Sequence, residues 1–413
     1  KTPTTYTWIL GTDGTWNNTA HWSPTGIPSG EDIVQFTHTG SRTISNVPTN
    51  ITLGKMSFSG GGTTTFTTTT AGNLNLLGGA NPVLEVAAGT TWIVSGTHTI
   101  NTTILAGGTG TVNGNIQLRA EGSVVNHTGE GDNTGARRFA NGSYFTAAST
   151  ANVNFAGNPF GSTGNNNTVV FQNGSTFEQI TGGNPFGLAQ PNSKVQFQNG
   201  STYRYSDNRA GLFQPSLSGR TYANFVYNST LTKNPEGGTA TWNMQNLGVI
   251  AGGFGINLGD GAIGNITGNI SVATGTSLAF NPASGVSNIN LSGTTAQTIS
   301  GAGSLTVGAS ATLNVTNTTG VTLQKNMTAS GAVTVSGQMN IQDENVMDGT
   351  GSFTLSSGGT LGVGSTAGLF SAGATGNIRT TTRTFSSGGS LRYWASANQS
   401  TGNFTTTPTA NTL

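Results

Sequence analysis

Short runs in which apolar and polar residues alternate recur along the whole chain. Ile51-Thr-Leu53, Leu74-Asn-Leu76 and Ile116-Gln-Leu118 lie early, while Ile270-Ser-Val272, Leu305-Thr-Val307, Leu313-Asn-Val315 and Val333-Thr-Val335 lie late. Period two places alternate side chains on opposite faces of a strand, and runs this short at a spacing of about ten residues, with no helical periodicity, predict an all-β protein. Gly and Asn fall between the runs, where corners need positive φ.

The pattern repeats most clearly over residues 139–203. Phe139-Ala-Asn-Gly-Ser-Tyr-Phe145, Phe171-Gln-Asn-Gly-Ser-Thr-Phe177 and Phe197-Gln-Asn-Gly-Ser-Thr-Tyr203 each read as strand, sharp corner, strand. The second and third copies are 26 residues apart, and Asn158-Pro-Phe-Gly161 recurs as Asn184-Pro-Phe-Gly187 at the same offset. A fixed period made of short strands and Gly corners is the signature of stacked solenoid coils. Phe139, Phe171 and Phe197 should form one inward column, and Phe145, Phe177 and Tyr203 a second. Three similar hairpins in an antiparallel sandwich are the alternative.

Composition narrows the function classes. Only 7% of the 413 residues are charged, and the net charge is +1. Phosphate neutralisation needs clustered Lys and Arg, so nucleic acid is not an expected partner. The chain has no cysteine, which leaves no disulfide, thiol chemistry or thiolate metal site. No run approaches a membrane span of about 18 apolar residues. Lys1 does not begin a signal peptide, so any secretion signal would already have been removed.

Three places could carry chemistry. Residues 119–138 gather Arg119, Glu121, His127, Glu130, Asp132, Arg137 and Arg138 and read as a charged excursion loop. Glu121, Glu130, Asp132 and Arg137 are the candidates if the protein acts on polysaccharides, because such chemistry needs carboxylates and a base or cation in one groove. Residues 139–227 are rich in aromatics, and Tyr203, Tyr205, Tyr222 and Tyr227 could form a ridge for stacking on glycan rings; tyrosines at the rim of a widened core are the competing reading. The stretch Gly252–Asp260 resembles a calcium-binding nonapeptide, but Asn257 stands where the Asp ligand belongs and the motif occurs once. No catalytic residue, cofactor or metal is expected, and His21, His38, His98 and His127 are scattered.

The two ends carry a resemblance. Tyr6/Trp8, Gly14/Trp16, Asn18/His21/Trp22, Gly26/Pro28 and Asp32/Val34/Phe36 resemble the opening of autotransporter-like β-strand-repeat proteins. The stretch from Asp348 to Ser365, with Gly376-Asn-Ile378, Arg383-Thr-Phe385, Tyr393 and Gln399-Ser-Thr-Gly402, resembles the repeat of large secreted surface proteins of Bacteroidota. Those are often exported by the type IX system and described as adhesins or β-strand-repeat proteins. The resemblance implies a right-handed parallel β-helix on the cell exterior; the C-terminal sorting domain of such proteins is not seen.

The resulting expectation is an N-terminal cap or small β-module over 1–60, rich in Trp, and a β-solenoid over 61–413. Its expected role is an extracellular structural or adhesive surface protein, a stalk or fibre segment that self-assembles and binds surfaces or glycans. Because the run from Phe404 to Leu413 halts in mid-repeat, the expected partners are copies of the chain or further repeats of a longer one. A polysaccharide lyase or glycosidase and a phage or bacterial tailspike are the alternatives on the same fold, since fold alone does not choose among them.

Overall fold

A computed structural model of the chain describes residues 2–77, 82–120, 159–160, 167–180, 185–186, 193–211, 214–281, 285–369 and 375–402, with the backbone of strands Val124–His127, Arg137–Phe139, Tyr144–Ala147 and Asn411–Thr412. The fold is all-β, built of parallel coils stacked as a β-solenoid. The chain divides into two compact units, 1–209 and 210–413.

In the first unit each full coil has three short strands, one for each of three parallel sheets. On the first face Ile33–Phe36 pairs with Lys55–Phe58, which pairs with Leu84–Val86. The second face stacks Ser41–Ser45, Thr63–Phe66 and Thr91–Val94, and the third stacks Ile51–Leu53, Gly72–Leu76 and Ile100–Ile104. Alternation along each strand sends one set of side chains inward, as in Ile33–Phe36, where Val34 and Phe36 are buried.

The aromatic repeat lies where its spacing predicts. Phe139 is in register with Phe171 and Phe171 with Phe197 on the first face; Phe145, Phe177 and Tyr203 align on the second. Strands on either side of each Asn-Gly-Ser corner belong to different sheets, which excludes the hairpin alternative. Phe171 and Phe197 stack with centroids 5.0 Å apart and planes 13° from parallel, close to the strand spacing itself. Phe177 and Tyr203 stack at 5.7 Å. The second repeated motif follows: Phe160 meets Phe171 at 5.9 Å, and Phe186 meets Phe197 at 5.9 Å.

That first-face column also runs back toward the N-terminus through Val112, Val86, Phe58 and Phe36. At Val86 the column loses volume, and Trp92 from the second face supplies it by stacking on Phe58 at 5.1 Å. Volume is thereby held across coils although the residues differ.

The corners are tight turns. Ser175 N donates to Gln172 O at 3.0 Å, Ser201 N to Gln198 O at 2.9 Å and Thr276 N to Ala273 O at 3.1 Å, with Gly174, Gly200 and Gly275 at φ of 77°, 81° and 76°. These are type II turns, whose third position requires positive φ.

At the N-terminus, Trp8, Trp16 and Trp22 are buried and pack edge to face, with centroids 5.1 Å apart for Trp8–Trp22 and 4.9 Å for Trp16–Trp22. Trp22 Nε1 donates to Trp16 O at 2.8 Å. Trp22–Ser23 pairs antiparallel with Thr5–Trp8, covering the edge of that strand that faces away from Ile33–Phe36. The cap therefore has an aromatic core. The expected boundary at residue 60 does not coincide with the start of the ladders, because Ile33–Phe36, Ser41–Ser45 and Ile51–Leu53 already belong to them.

Residues 119–138, read from their charge as one excursion loop, contain two strands of the ladders. Val124–His127 pairs with Ile100–Ile104, and Arg137–Phe139 with Gly110–Val112. Val124 and Val125 supply the β-branched pair that a count of charges overlooks.

The second unit again has three ladders. In one of them Ile266, Leu291, Val315, Val335 and Leu355 form a buried inward column, each in register with the next. Wider corners are held by inward amides. Gln297, 1% exposed, donates to Ile266 O at 3.0 Å and Gly268 O at 2.6 Å and accepts from Gly293 N at 3.0 Å and Asn317 Nδ2 at 2.9 Å. Every hydrogen-bonding position of that side chain is used, as burial of an amide requires. Asn377 holds the connection that follows strand Thr360–Val363 with three bonds, donating to Asp343 O and Asn345 O and accepting from Ser365 N.

Candidate functional site

The outward positions next to the aliphatic column of the second unit carry a row of asparagines. Asn265 Nδ2 donates to Asn243 Oδ1 at 2.9 Å, Asn290 Nδ2 to Asn265 Oδ1 at 3.0 Å and Asn314 Nδ2 to Asn290 Oδ1 at 3.0 Å. Asn243 Nδ2 reaches Thr221 Oγ1 at 3.3 Å. Beyond Asn314 the same register positions hold Thr334, Thr354 and Thr384. Half-buried amides one strand spacing apart match each other's donor and acceptor, and such side-chain ladders keep stacked parallel strands in register. The row so formed is neutral and offers amide and hydroxyl groups, with the exposed Ile263 at the next outward position beside Asn265.

The first unit carries a shallow cleft of about 330 Å³ on its first face. Gln35, Ser57, Glu85 and Thr111 occupy successive outward positions there, and Ser59 and Asn113 line the adjoining corner. Lys55 pairs with Glu85. The second unit has a recess of about 340 Å³ whose apolar floor includes Pro215, Leu217, Pro235 and Leu258, with Gln214 and Glu236 also lining it. Both present hydrogen-bonding groups around a single carboxylate.

The tyrosines expected as a glycan platform are not on the surface. Tyr203, Tyr205, Tyr222 and Tyr227 are all 2% exposed or less. Tyr203 stacks on Phe177 and donates its hydroxyl to Gln179 Oε1 at 2.6 Å; Tyr227 stacks on Phe254 at 4.8 Å and donates to Leu231 O at 2.6 Å; Tyr222 donates to Ser216 O. Burial pushes the Tyr222 phenol far above its ordinary value, against the pull of nearby Arg220, whose own value burial lowers. Buried to this degree, the four have no free face for a sugar. Alternation in Thr202–Tyr205 did place Tyr203 and Tyr205 together, but on the core side, and Arg204 outward.

Of the acid–base candidates, Glu121, Glu130 and Asp132 lie outside the described residues, and Arg137 is placed by its backbone alone, in register with Gly110 and Val169. A different charged group stands out in the last coil of the first unit. Asp207, fully buried, takes Arg209 Nε at 3.0 Å and Nη2 at 2.6 Å, and Glu178 accepts from Ser206 Oγ at 2.6 Å. Asn257 is joined by a bridge to Glu236, and among the described residues no three His, Asp or Glu converge as a metal would require. The asparagine row was missed by sequence reasoning although its signal is visible: Trp-Asn-Met, Gly-Asn-Ile, Ile-Asn-Leu and Leu-Asn-Val recur around Asn243, Asn265, Asn290 and Asn314.

Comparison with protein families, with curated proteins and with solved structures finds no match to this chain. Among the described residues no helix is long and apolar enough to cross a membrane.

Proposed function

We propose that the chain is an extracellular structural and adhesive surface protein, a segment of a stalk or fibre of the kind its sequence resembles in Bacteroidota. The supporting observation is the asparagine row. It uses outward side chains of successive coils to brace the stack, and it leaves a neutral polar face rather than a reactive cleft. A β-solenoid is consistent with that role. Neutral amide and hydroxyl faces suit contact with other neutral surfaces, including glycans and copies of the same chain, because nothing charged must be desolvated.

The test is localisation and assembly in the cells that make the protein. Protease shaving of intact cells should release fragments of the chain, and immunogold microscopy should place it outside the envelope on extended structures. A protein protected from protease in intact cells and recovered from the cytosol would overturn the proposal.

A further inference from the structure

Gln172-Asn-Gly-Ser-Thr176 and Gln198-Asn-Gly-Ser-Thr202 are the same pentapeptide at the same corner of consecutive coils. Both turns close alike: Ser175 N and Oγ reach Gln172 O at 3.0 and 2.6 Å, and Ser201 N and Oγ reach Gln198 O at 2.9 and 2.6 Å. Gly174 and Gly200 have nearly the same φ, and Asn173 and Asn199 are both exposed. The two corners differ in what lies over them. Gly174 N donates to Gly200 O at 3.0 Å, and Asn173 Oδ1 sits against Gly200, 2.0 Å from where a Cβ on that glycine would lie. Gly200 N has no acceptor among the described residues.

We infer that Asn199 is a site of spontaneous conversion to aspartate and isoaspartate, and that the stacked coil shields Asn173 from the same reaction. In this reaction the Gly200 nitrogen attacks Asn199 Cγ. The new N–Cγ bond closes a succinimide as the Cγ–Nδ2 bond breaks, and ammonia leaves with the amide proton. Water then opens the ring at either carbonyl, giving aspartate or, with the backbone rerouted through Cγ, isoaspartate. The nucleophile must be free to lose its proton and to turn toward Cγ. At Gly174 the attacking nitrogen must give up a backbone hydrogen bond and Asn173 must leave Gly200; the Gly200 nitrogen has no such bond to give up among the described residues. Of the two other Asn-Gly pairs, Asn141-Gly142 lies outside the described residues, and at Asn113-Gly114 the glycine nitrogen is held by Val86 O at 3.1 Å, so Asn113 too is shielded. Conversion puts a negative charge on a neutral corner, and the mark accumulates with the age of the molecule.

The experiment is timed incubation of the native full chain at neutral pH, followed by proteolysis and mass spectrometry. Asn199 should show the mass gain of amide-to-acid conversion and a split aspartate/isoaspartate peptide on the order of tenfold faster than Asn173, a factor that corresponds to about 1.4 kcal/mol. The denatured chain, in which only the identical pentapeptides matter, should convert both at one rate. Asn199→Gln should remove the signal from that peptide alone. Equal rates at Asn173 and Asn199 in the native protein would overturn the inference. So would an unreacted Asn199 over a period in which the denatured chain converts.

Discussion

Asn290 gives its side-chain amide to Asn265 Oδ1 at 3.0 Å, across two adjacent coils whose backbones are already paired at the same two residues. The side-chain bond therefore adds to a ladder bond without ordering a new segment. Because both amides are half-buried, water replaces only part of what is lost on truncation. Asn265→Ala should cost about 1 kcal/mol, and a double-mutant cycle with Asn290→Ala should return a coupling of at least about 0.5 kcal/mol. A coupling of zero in equilibrium unfolding would show that the row is incidental to stability.

Phe171 is fully buried, stacked on Phe197 and edge-on to Phe177. Phe171→Ala should destabilise the first unit by about 3–5 kcal/mol, because the neighbouring coils are fixed by their ladders and cannot collapse into the space. Thr202→Ala, on the outward side, should stay within about 0.5 kcal/mol. Chemical denaturation followed by Trp fluorescence reads both.

Gln297→Leu keeps much of the side-chain volume but removes the side-chain partner of Gly293 N and Gly268 O in the wide corner, and one of two bonds each from Asn317 Nδ2 and Ile266 O. With two polar groups deprived of that partner, the loss should be about 2–4 kcal/mol. Hydrogen exchange should show the protected amide of Gly293 opening first.

Acid should weaken the fold in two windows. Burial lowers the His38 pKa from 6.5, opposed by its bond to Thr63 O and reinforced by Arg42. The unfolded chain thus takes up that proton first, and stability falls as pH drops below 6.5. The Glu344 carboxylate is held below 4.5 by bonds from Ser365 Oγ and Thr366 N, with smaller help from Thr366 Oγ1 and Arg379. Its contribution is present above 4.5 and disappears as pH falls through the folded value. The exposure of Glu344 keeps this second effect small. Melting temperature against pH should lose the upper slope in His38→Gln and the lower one in Glu344→Gln.

The register of Phe171 and Phe197 was legible in the sequence because a coil repeats both its inward ring and its corner glycine. The burial side of Tyr203 and Tyr205 was not. Alternation says that two residues share a face, but only the position of the neighbouring coil says which face is inside. Charge density misled at 119–138 for a related reason: a strand needs only its few central residues to be suited to pairing, and Val124–Val125 suffice among charged neighbours. The asparagine row was overlooked because each asparagine, taken alone, reads as a turn residue, and its role appears only when coils are superposed at offsets of 22, 25 and 24 residues.

Those unequal offsets have a consequence for how such a chain can change length. From Asn243 to Asn314 successive coils meet through the same strand edges and the same asparagine row, so whole coils there are interchangeable parts. Excising the 24 residues from Leu291 through Asn314 would join Asn290 to Val315, and an inward aliphatic would again follow an outward asparagine. Excising one residue fewer would turn that alternation inside out. Genes for chains of this design can therefore gain or lose sequence in steps of one coil, even where the coils differ in length, while intermediate steps are removed by misfolding.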